Sequence, residues 1–128
     1  MSERKAPAPV VNVETKPFWD ATAEGKLLIK KCNACDEVHW YPRSMCPFCH
    51  SMDTAWIESS GKGVIYSHST MRRTPVPYCL AYVTLDEGTT MMTNLVDVDF
   101  DALEIGQKVE VSFADTGEGN ALPYFTTV

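Results

Sequence analysis

Two kinds of apolar segment are missing from this 128-residue chain. No apolar run approaches the about 18 residues that a membrane-spanning helix needs. No apolar stretch follows the charged residues of the N-terminus, so the sequence does not predict a secretory signal either. We therefore expect a cytoplasmic protein without membrane spans, in a reducing compartment where cysteines stay as thiols or bind metal.

Positive charge is scarce in the C-terminal part of the chain. Residues 75–128 contain one lysine, Lys108, against nine Asp and Glu, whereas residues 1–74 contain ten Lys and Arg against eight acids. An acidic surface repels the phosphates of nucleic acids, whose binding needs a basic path. One lysine against nine acids in residues 75–128, within a formal net charge of −6, argues against a nucleic-acid-binding module. We keep that module as the alternative function because aromatic residues are available to stack on single strands.

Recognisable catalytic motifs are also missing. The sequence has no nucleophile elbow, phosphate-binding loop or paired-carboxylate pattern. The three histidines are scattered along the chain, and the run Asp97-x-Asp99-x-Asp101 lacks the Gly and Glu that would complete a calcium loop. Only Cys79, or a serine without a supporting motif, offers a nucleophile for an independent acyl-transfer enzyme or hydrolase. We interpret Cys79 as a small core residue on a buried strand.

Four of the five cysteines form two matched pairs, Cys32-x-x-Cys35 and Cys46-x-x-Cys49. Two such pairs can surround one tetrahedral metal ion, and Zn²⁺ is the usual occupant of a four-thiolate site. Three alternatives stay open: two disulfides, a thioredoxin-type redox pair, and attachment of haem c through the Cys-x-x-Cys-His pattern that ends at His50. Disulfides and haem attachment would require export of the protein, and a redox site would require only one Cys-x-x-Cys pair.

The predicted zinc site is structural. Cysteine fills all four ligand positions, so no position remains for water or substrate, and Lewis-acid catalysis is not expected. A block of about 30 residues around the site has too little core to fold alone, and bound zinc typically contributes about 10–16 kcal/mol to such a block.

The chain divides into three segments in this interpretation. Residues 1–15 form a flexible tail. Residues 16–58 contain a helix that begins near Pro17 and ends by Gly25, followed by the zinc ribbon. The Ser59–Gly63 segment is the boundary, and residues 59–128 form a barrel.

Residues 59–128 contain five short strands with a period of two. On the second strand, Cys79, Ala81, Val83 and Leu85 lie on one face. The turn Asp86-Glu87-Gly88 connects this strand to the next in a hairpin. Five strands in about 70 residues predict a Greek-key barrel of the OB type. The predicted fold class is mainly β: an N-terminal helix, a rubredoxin-like zinc ribbon and a C-terminal five-stranded OB barrel.

The order of several short motifs resembles one family, the zinc-ribbon/OB-fold proteins associated with acyl-CoA metabolism, long catalogued as a domain of unknown function. The resemblance covers residues 16–128. Its motifs are Pro17-Phe18-Trp19, Gly25-Lys26-Leu27, the two cysteine pairs, Pro42-Arg43, Gly61-x-Gly63-x-Ile65-Tyr66-Ser67, Pro77-Tyr78, Ala81-Tyr82-Val83-x-Leu85-Asp86-Glu87-Gly88, Leu103-x-Ile105-Gly106-x-x-Val109-x-Val111 and Leu122-Pro123-x-Phe125.

The resemblance implies a non-catalytic accessory subunit. Members of the family pair with thiolase-like enzymes and organise acyl-CoA chemistry that the partner performs. CoA binding would need cations for its phosphates and an apolar slot for its pantetheine. Our cationic candidates are Arg72 and Arg73, in the loop between the first two barrel strands, together with Lys62 and Arg43. Apolar surface between helix and ribbon can come from Trp19, Trp40, Tyr41 and Phe48.

Overall fold

A computed structural model of the chain describes residues 6–128. In chain order the elements are α1 Lys16–Thr22, β1 Leu28–Cys32, β2 Val38–His39, β3 Thr54–Glu58, β4 Lys62–Met71, β5 Tyr78–Leu85, β6 Thr90–Leu95, a 3₁₀ turn Phe100–Ala102, β7 Lys108–Asp115 and β8 Ala121–Thr127. The predicted order of helix, ribbon and five-stranded barrel is confirmed. None of the described helices is long and apolar enough to cross a membrane.

Helix α1 begins where the sequence places it. Pro17 lies in its first turn, where the missing N–H breaks no hydrogen bond, and the chain turns away at Gly25, whose φ is +76°. Its buried face presents Phe18, Trp19 and Thr22. The Thr22 Oγ1 donates to the Trp19 carbonyl (2.6 Å) and accepts from the N–H of Ala121 (3.1 Å), which connects the helix to β8.

The N-terminal segment contacts the ribbon. Asn12 and Thr15 form a hydrogen-bonded turn before the helix, and the Glu14 carboxylate accepts the N–H of Ser44 at 2.7 Å. Thr15 is buried, whereas Val10 and Val13 are exposed. Residues 1–5 of the predicted tail lie outside the described residues.

The ribbon is a three-stranded antiparallel sheet in the order β2–β1–β3. Both faces of its central strand are covered, since adjacent residues Ile29 and Lys30 are both buried. The Lys30 Nζ lies 4.4 Å from the centre of the Trp56 ring and donates to the Thr54 hydroxyl. The aliphatic stem and the ring thus close the sheet face that Ile29 does not occupy.

The barrel closes in the order β4–β5–β6–β8–β7, with β7 returning to β4. Its pairs are antiparallel apart from β6 with β8, which meet in parallel at Leu95 and Phe125. Alternation determines which residues face inward, and the predicted inner face of β5 is confirmed: Cys79, Ala81, Val83 and Leu85 are all buried. Gly63 is needed in β4, because a Cβ there would lie 2.4 Å from the Thr84 carbonyl oxygen.

The predicted boundary between ribbon and barrel is densely hydrogen-bonded. Ser59 N–H donates to the Leu27 carbonyl of the ribbon half. The Glu87 carboxylate, in the β5–β6 turn, accepts from the Ser59 hydroxyl (2.7 Å) and from the Ser60 N–H (2.9 Å). Gly61 has a φ of +75°, and its carbonyl accepts from Val111 in β7. One core spans both parts, from Phe18 and Ile29 to Phe125.

Candidate metal centre and adjoining cavity

The four predicted cysteine ligands converge on one point. The sulfur atoms of Cys32, Cys35, Cys46 and Cys49 all lie within 4.8 Å of one another. The Cys32–Cys49 sulfurs are 3.5 Å apart and the Cys35–Cys46 sulfurs 3.7 Å. A tetrahedral Zn²⁺ with Zn–S bonds of about 2.3 Å requires sulfurs about 3.8 Å apart. The donor set and its spacing therefore fit one metal ion.

The two metal-binding turns have the same backbone design. In the first, Asp36 N–H donates to the Cys32 carbonyl, and in the second, His50 N–H donates to the Cys46 carbonyl. Asp36 and His50 then adopt left-handed φ values of +63° and +66°. The reversal of the chain at these positions brings both cysteines of a pair to the same side. His50 is exposed, and its position in the second turn corresponds to that of Asp36 in the first.

Backbone amides stabilise thiolate at this site. Burial acts to raise the pKa of Cys46, but N–H groups of Cys49 and Phe48 donate to its sulfur and lower that pKa to about 7. The amide of Glu37 acts to lower the pKa of Cys35, yet burial and the neighbouring sulfurs raise it to about 12. The neighbouring sulfurs and burial also raise the pKa of Cys49, so Cys35 and Cys49 keep their protons without metal, and a divalent cation would displace these protons on binding. All five cysteines are free thiols, which excludes the disulfide interpretation for this structure.

A cavity of about 380 Å³ adjoins the ribbon at its junction with the barrel. The helix and ribbon contribute Trp19, Trp40 and Tyr41, and the N-terminal segment contributes Pro7. Residues of β5, β6 and β8 complete the wall, among them Leu80, Met92, Asn94 and Leu122. Three of the four residues predicted to form apolar surface between helix and ribbon therefore line this cavity. Phe48 is exposed on the second metal-binding turn and does not line the cavity.

Two residues that line the cavity carry buried hydrogen-bond donors. The indole N–H groups of Trp19 and Trp40 are buried, and neither has a partner among residues 6–128. Sequence reasoning missed the barrel side of this cavity. The available signal was the outward-facing alternation of β5 and β6, which places Leu80 beside Asn94 and Tyr82 beside Met92.

The four cationic candidates are spread over the molecule. Arg72 and Arg73 follow β4 in the β4–β5 loop, where Arg72 forms an exposed ion pair with Asp101 at 2.7 Å. Lys62 begins β4, ten residues before Arg72, and lies at the other end of that strand. Arg43 lies on the ribbon between its two metal-binding turns. The structure therefore brings Arg72 and Arg73 together and leaves Lys62 at the opposite end of the strand.

The remaining titratable residues do not assemble a catalytic set among the described residues. Cys79 is buried, and burial raises the pKa of its thiol, so it stays protonated at neutral pH. His39 is buried in the ribbon, where burial and the nearby Lys30 and Arg43 lower its pKa. The acidic run is a turn, in which Asp99 accepts from the Asp101 N–H and Asp101 pairs with Arg72.

Two family models match the chain. A rubredoxin-like zinc ribbon domain of ChsH2 matches residues 19–54, and the C-terminal OB-fold domain of ChsH2 matches residues 56–114. A DUF35 domain-containing scaffold protein of Methanothermobacter thermautotrophicus is 35% identical over 105 residues, which cover 73% of this chain and 78% of that protein.

A longer relative also matches. A probable enoyl-CoA hydratase alpha subunit of Thermomonospora curvata is 33% identical over 124 residues, which are 93% of this chain and 39% of that protein. The chain thus spans about two-fifths of that relative's length. One solved structure, an Ltp2-ChsH2(DUF35) aldolase, superposes with a TM-score of 0.83 at 32% identity and covers 94% of this chain and 98% of that chain.

A second solved structure shares the fold alone. It is a DUF35-family protein of unknown function from Sulfolobus solfataricus, with a TM-score of 0.64 at 12% identity, covering 91% of this chain and 86% of that chain. The relatives named scaffold proteins and the named two-component aldolase indicate a scaffold or partner role for proteins of this architecture.

Proposed function

The chain belongs to the DUF35 family of zinc-ribbon and OB-fold scaffold proteins, and from this premise we propose that it is a non-catalytic accessory subunit of a thiolase-like acyl-CoA enzyme. The observation that carries the proposal is the closed four-cysteine site beside a barrel without a catalytic set in residues 6–128. Such a site holds the ribbon rigid and performs no reaction. We place the protein in the cytoplasm, where the thiols stay available for metal.

Two observations support a role in acyl-CoA chemistry. One relative is named for an enoyl-CoA hydratase, and the cavity at the ribbon–barrel junction has the apolar walls that a pantetheine or acyl chain requires. Arg72 and Arg73 are the candidates for the CoA phosphates, and Arg43 and Lys62 add positive charge elsewhere.

The test of the partner role is purification of the tagged chain from its native cells, followed by mass spectrometric identification of bound proteins. We expect a thiolase-like protein at a fixed ratio to the chain. The Cys46→Ser variant, which loses a metal ligand, should lose the partner, whereas Cys79→Ala should keep it. Recovery of the metal-loaded chain without any acyl-CoA enzyme would contradict the proposal.

The test of CoA contact is titration of the metal-loaded complex with CoA. Replacement of Arg72 and Arg73 by Gln should weaken CoA binding about tenfold or more, because charge-assisted hydrogen bonds to phosphate are lost. Asp101→Asn should strengthen it by up to about fivefold, since the exposed ion pair that engages Arg72 is worth at most about 1 kcal/mol. Lys108→Gln removes one positive charge from β7 and serves as the control. An equal loss of CoA affinity in Lys108→Gln would show that the effect comes from net charge alone. It would contradict binding of the CoA phosphates by Arg72 and Arg73.

A further inference from the structure

The segment that precedes helix α1 reaches the cavity. Pro7 belongs to the cavity wall, together with residues of the helix, the ribbon and the barrel. Ala6 beside it is 6% exposed, whereas Val10 and Val13 are each 90% exposed. The segment is therefore seated at the cavity and lies mostly in solvent between there and the helix. We call residues 6–11 the strap.

The two ends of this segment are held in different ways. Residues 12–15 form a turn in which the Asn12 N–H donates to the Thr15 hydroxyl at 3.0 Å and the Thr15 N–H donates to the Asn12 carbonyl at 3.1 Å. The Glu14 carboxylate accepts the Ser44 N–H, which fixes this turn to the ribbon. The strap, in contrast, forms no hydrogen bond or ion pair with the rest of the described chain. Apolar contact alone therefore holds it in the cavity wall.

The composition of the strap favours reversible seating. Its sequence, Ala-Pro-Ala-Pro-Val-Val, contains no charged residue. Proline fixes φ, so Pro7 and Pro9 restrict the strap in solution and reduce the conformational entropy that it loses when it is seated. A contact without hydrogen bonds also opens readily, because the released backbone groups give up no partner. The strap can therefore leave the cavity wall while the turn at residues 12–15 stays in place.

Release of the strap would open the cavity without disturbing the core. Other walls of the cavity belong to regular elements of the fold: Trp19 lies on α1, Leu80 on β5 and Leu122 on β8. The seated strap covers part of the apolar space that these side chains enclose, and an apolar ligand gains free energy by covering the same space. The strap and such a ligand therefore compete for one side of the cavity.

We infer that the strap is a releasable cover of the cavity, seated through Ala6 and Pro7 and displaced by an apolar ligand that enters. The turn at residues 12–15 is the fixed point about which it moves. That the ligand is the pantetheine or acyl chain of an acyl-CoA rests on the proposed function, whereas the movement of the strap does not. The apparent affinity for the ligand is reduced by the fraction of molecules in which the strap is released, so a permanently released strap should strengthen binding.

The test is titration of the full metal-loaded chain with prodan, a neutral naphthalene dye whose emission shifts in apolar surroundings. Ala6→Asp places a charge at a buried position, which releases the strap because a buried charge without a partner is costly. Ala8→Asp adds the same charge at an exposed position and is the matched control. We expect Ala6→Asp to bind prodan at least about threefold more tightly than wild type, and Ala8→Asp to match wild type. Equal affinity in all three proteins, or weaker binding by Ala6→Asp, would overturn the inference.

A second measurement follows the strap directly and needs no released variant. Trifluoromethylphenylalanine in place of Val10 reports on the strap by fluorine NMR, and the same amino acid in place of Val13 reports on the turn. Saturation with prodan should shift and narrow the resonance of the Val10 reporter and leave that of the Val13 reporter unchanged. Metal content and thermal unfolding show that each protein is folded. A Val10 reporter that does not respond to bound prodan would overturn the inference.

The strap and the proposed function fail in different ways. If Ala6→Asp strengthens prodan binding and neither protein binds pantetheine, the movement of the strap stands and the acyl-CoA ligand fails. If pantetheine binds equally to wild type and to Ala6→Asp, and prodan does too, the acyl-CoA ligand stands and the strap inference is overturned.

Discussion

The carboxylate of Glu87 helps to connect the barrel to the segment that precedes it. Burial acts to raise its pKa, but hydrogen bonds from the Ser60 N–H and the Ser59 hydroxyl outweigh burial and hold that pKa below its usual value. A carboxylate with a lowered pKa in the folded state stabilises the fold above the unfolded pKa, about 4.3 for Glu. The stability is lost as the pH falls from about 4.3 through the lower folded value.

We therefore predict that Glu87→Gln lowers the free energy of unfolding by about 1 kcal/mol at pH 7. The difference from wild type should shrink as the pH falls below about 4.3. Denaturant unfolding of both proteins at stepped pH, with zinc in excess, measures it, because loss of metal affects both alike. Asp86→Asn in the same turn is the control, with an expected change below about 0.5 kcal/mol. A Glu87→Gln difference that is constant with pH would contradict the prediction.

One buried hydroxyl links helix α1 to strand β8 by a hydrogen bond. Thr22 Oγ1 accepts the N–H of Ala121, and both groups are buried. We predict that Thr22→Val, which keeps the shape, destabilises the protein by about 1–3 kcal/mol, because the Ala121 N–H is left unsatisfied. Thermal or denaturant unfolding measures this. Asp20→Asn, which removes an exposed Lys16 pair on the same helix, should cost less than about 0.5 kcal/mol. Equal effects would indicate that the hydroxyl contributes nothing specific.

At the level of helices and strands, the sequence predicted the structure wherever the pattern lies in neighbouring residues. Pro17 and Gly25 predicted the ends of the helix, and the alternation at Cys79, Ala81 and Val83 predicted the inner face of β5. These signals work because steric limits and burial act on neighbouring residues. The four cysteines were predictable because a metal requires a fixed set of ligands.

What the sequence did not predict depends on distant contacts. The cavity is formed by Trp19, Trp40 and Leu122, which belong to three separate elements, and no spacing along the chain places them together. The pairing of Arg72 with Asp101 likewise joins residues far apart in sequence. Lys62 and Arg72 lie at opposite ends of β4, a separation that their spacing along the chain did not reveal.

At the scale of the whole molecule, we expect the bound metal to keep the ribbon folded. Strands β1 to β3 are short, and Cys32 and Cys46 anchor their connections. We predict that a strong chelator removes hydrogen-exchange protection from β1 to β3, while β4 to β8 keep most of theirs, because the barrel is closed by its own strand pairs and contributes most of the shared core, including Val83 and Phe125.

Hydrogen exchange followed by mass spectrometry, with metal content from atomic spectroscopy, measures this outcome. Cys46→Ser should reproduce the effect of the chelator. Cys79→Ala is the matched control: it creates a small cavity in the barrel and costs stability there, but keeps one metal per chain. Protection of β1 to β3 that survives complete metal removal would contradict a structural role for the ion.

The bonded junction at Ser59 to Gly61 has a mechanical consequence. A hinge needs a segment that turns without breaking contacts, and here the ribbon strand β3 passes into the barrel through residues anchored to Leu27, Glu87 and Val111. A rotation of the ribbon is therefore transmitted directly to the barrel. The ribbon and the barrel are held at a fixed angle to each other, so an enzyme that binds one part also determines the orientation of the other.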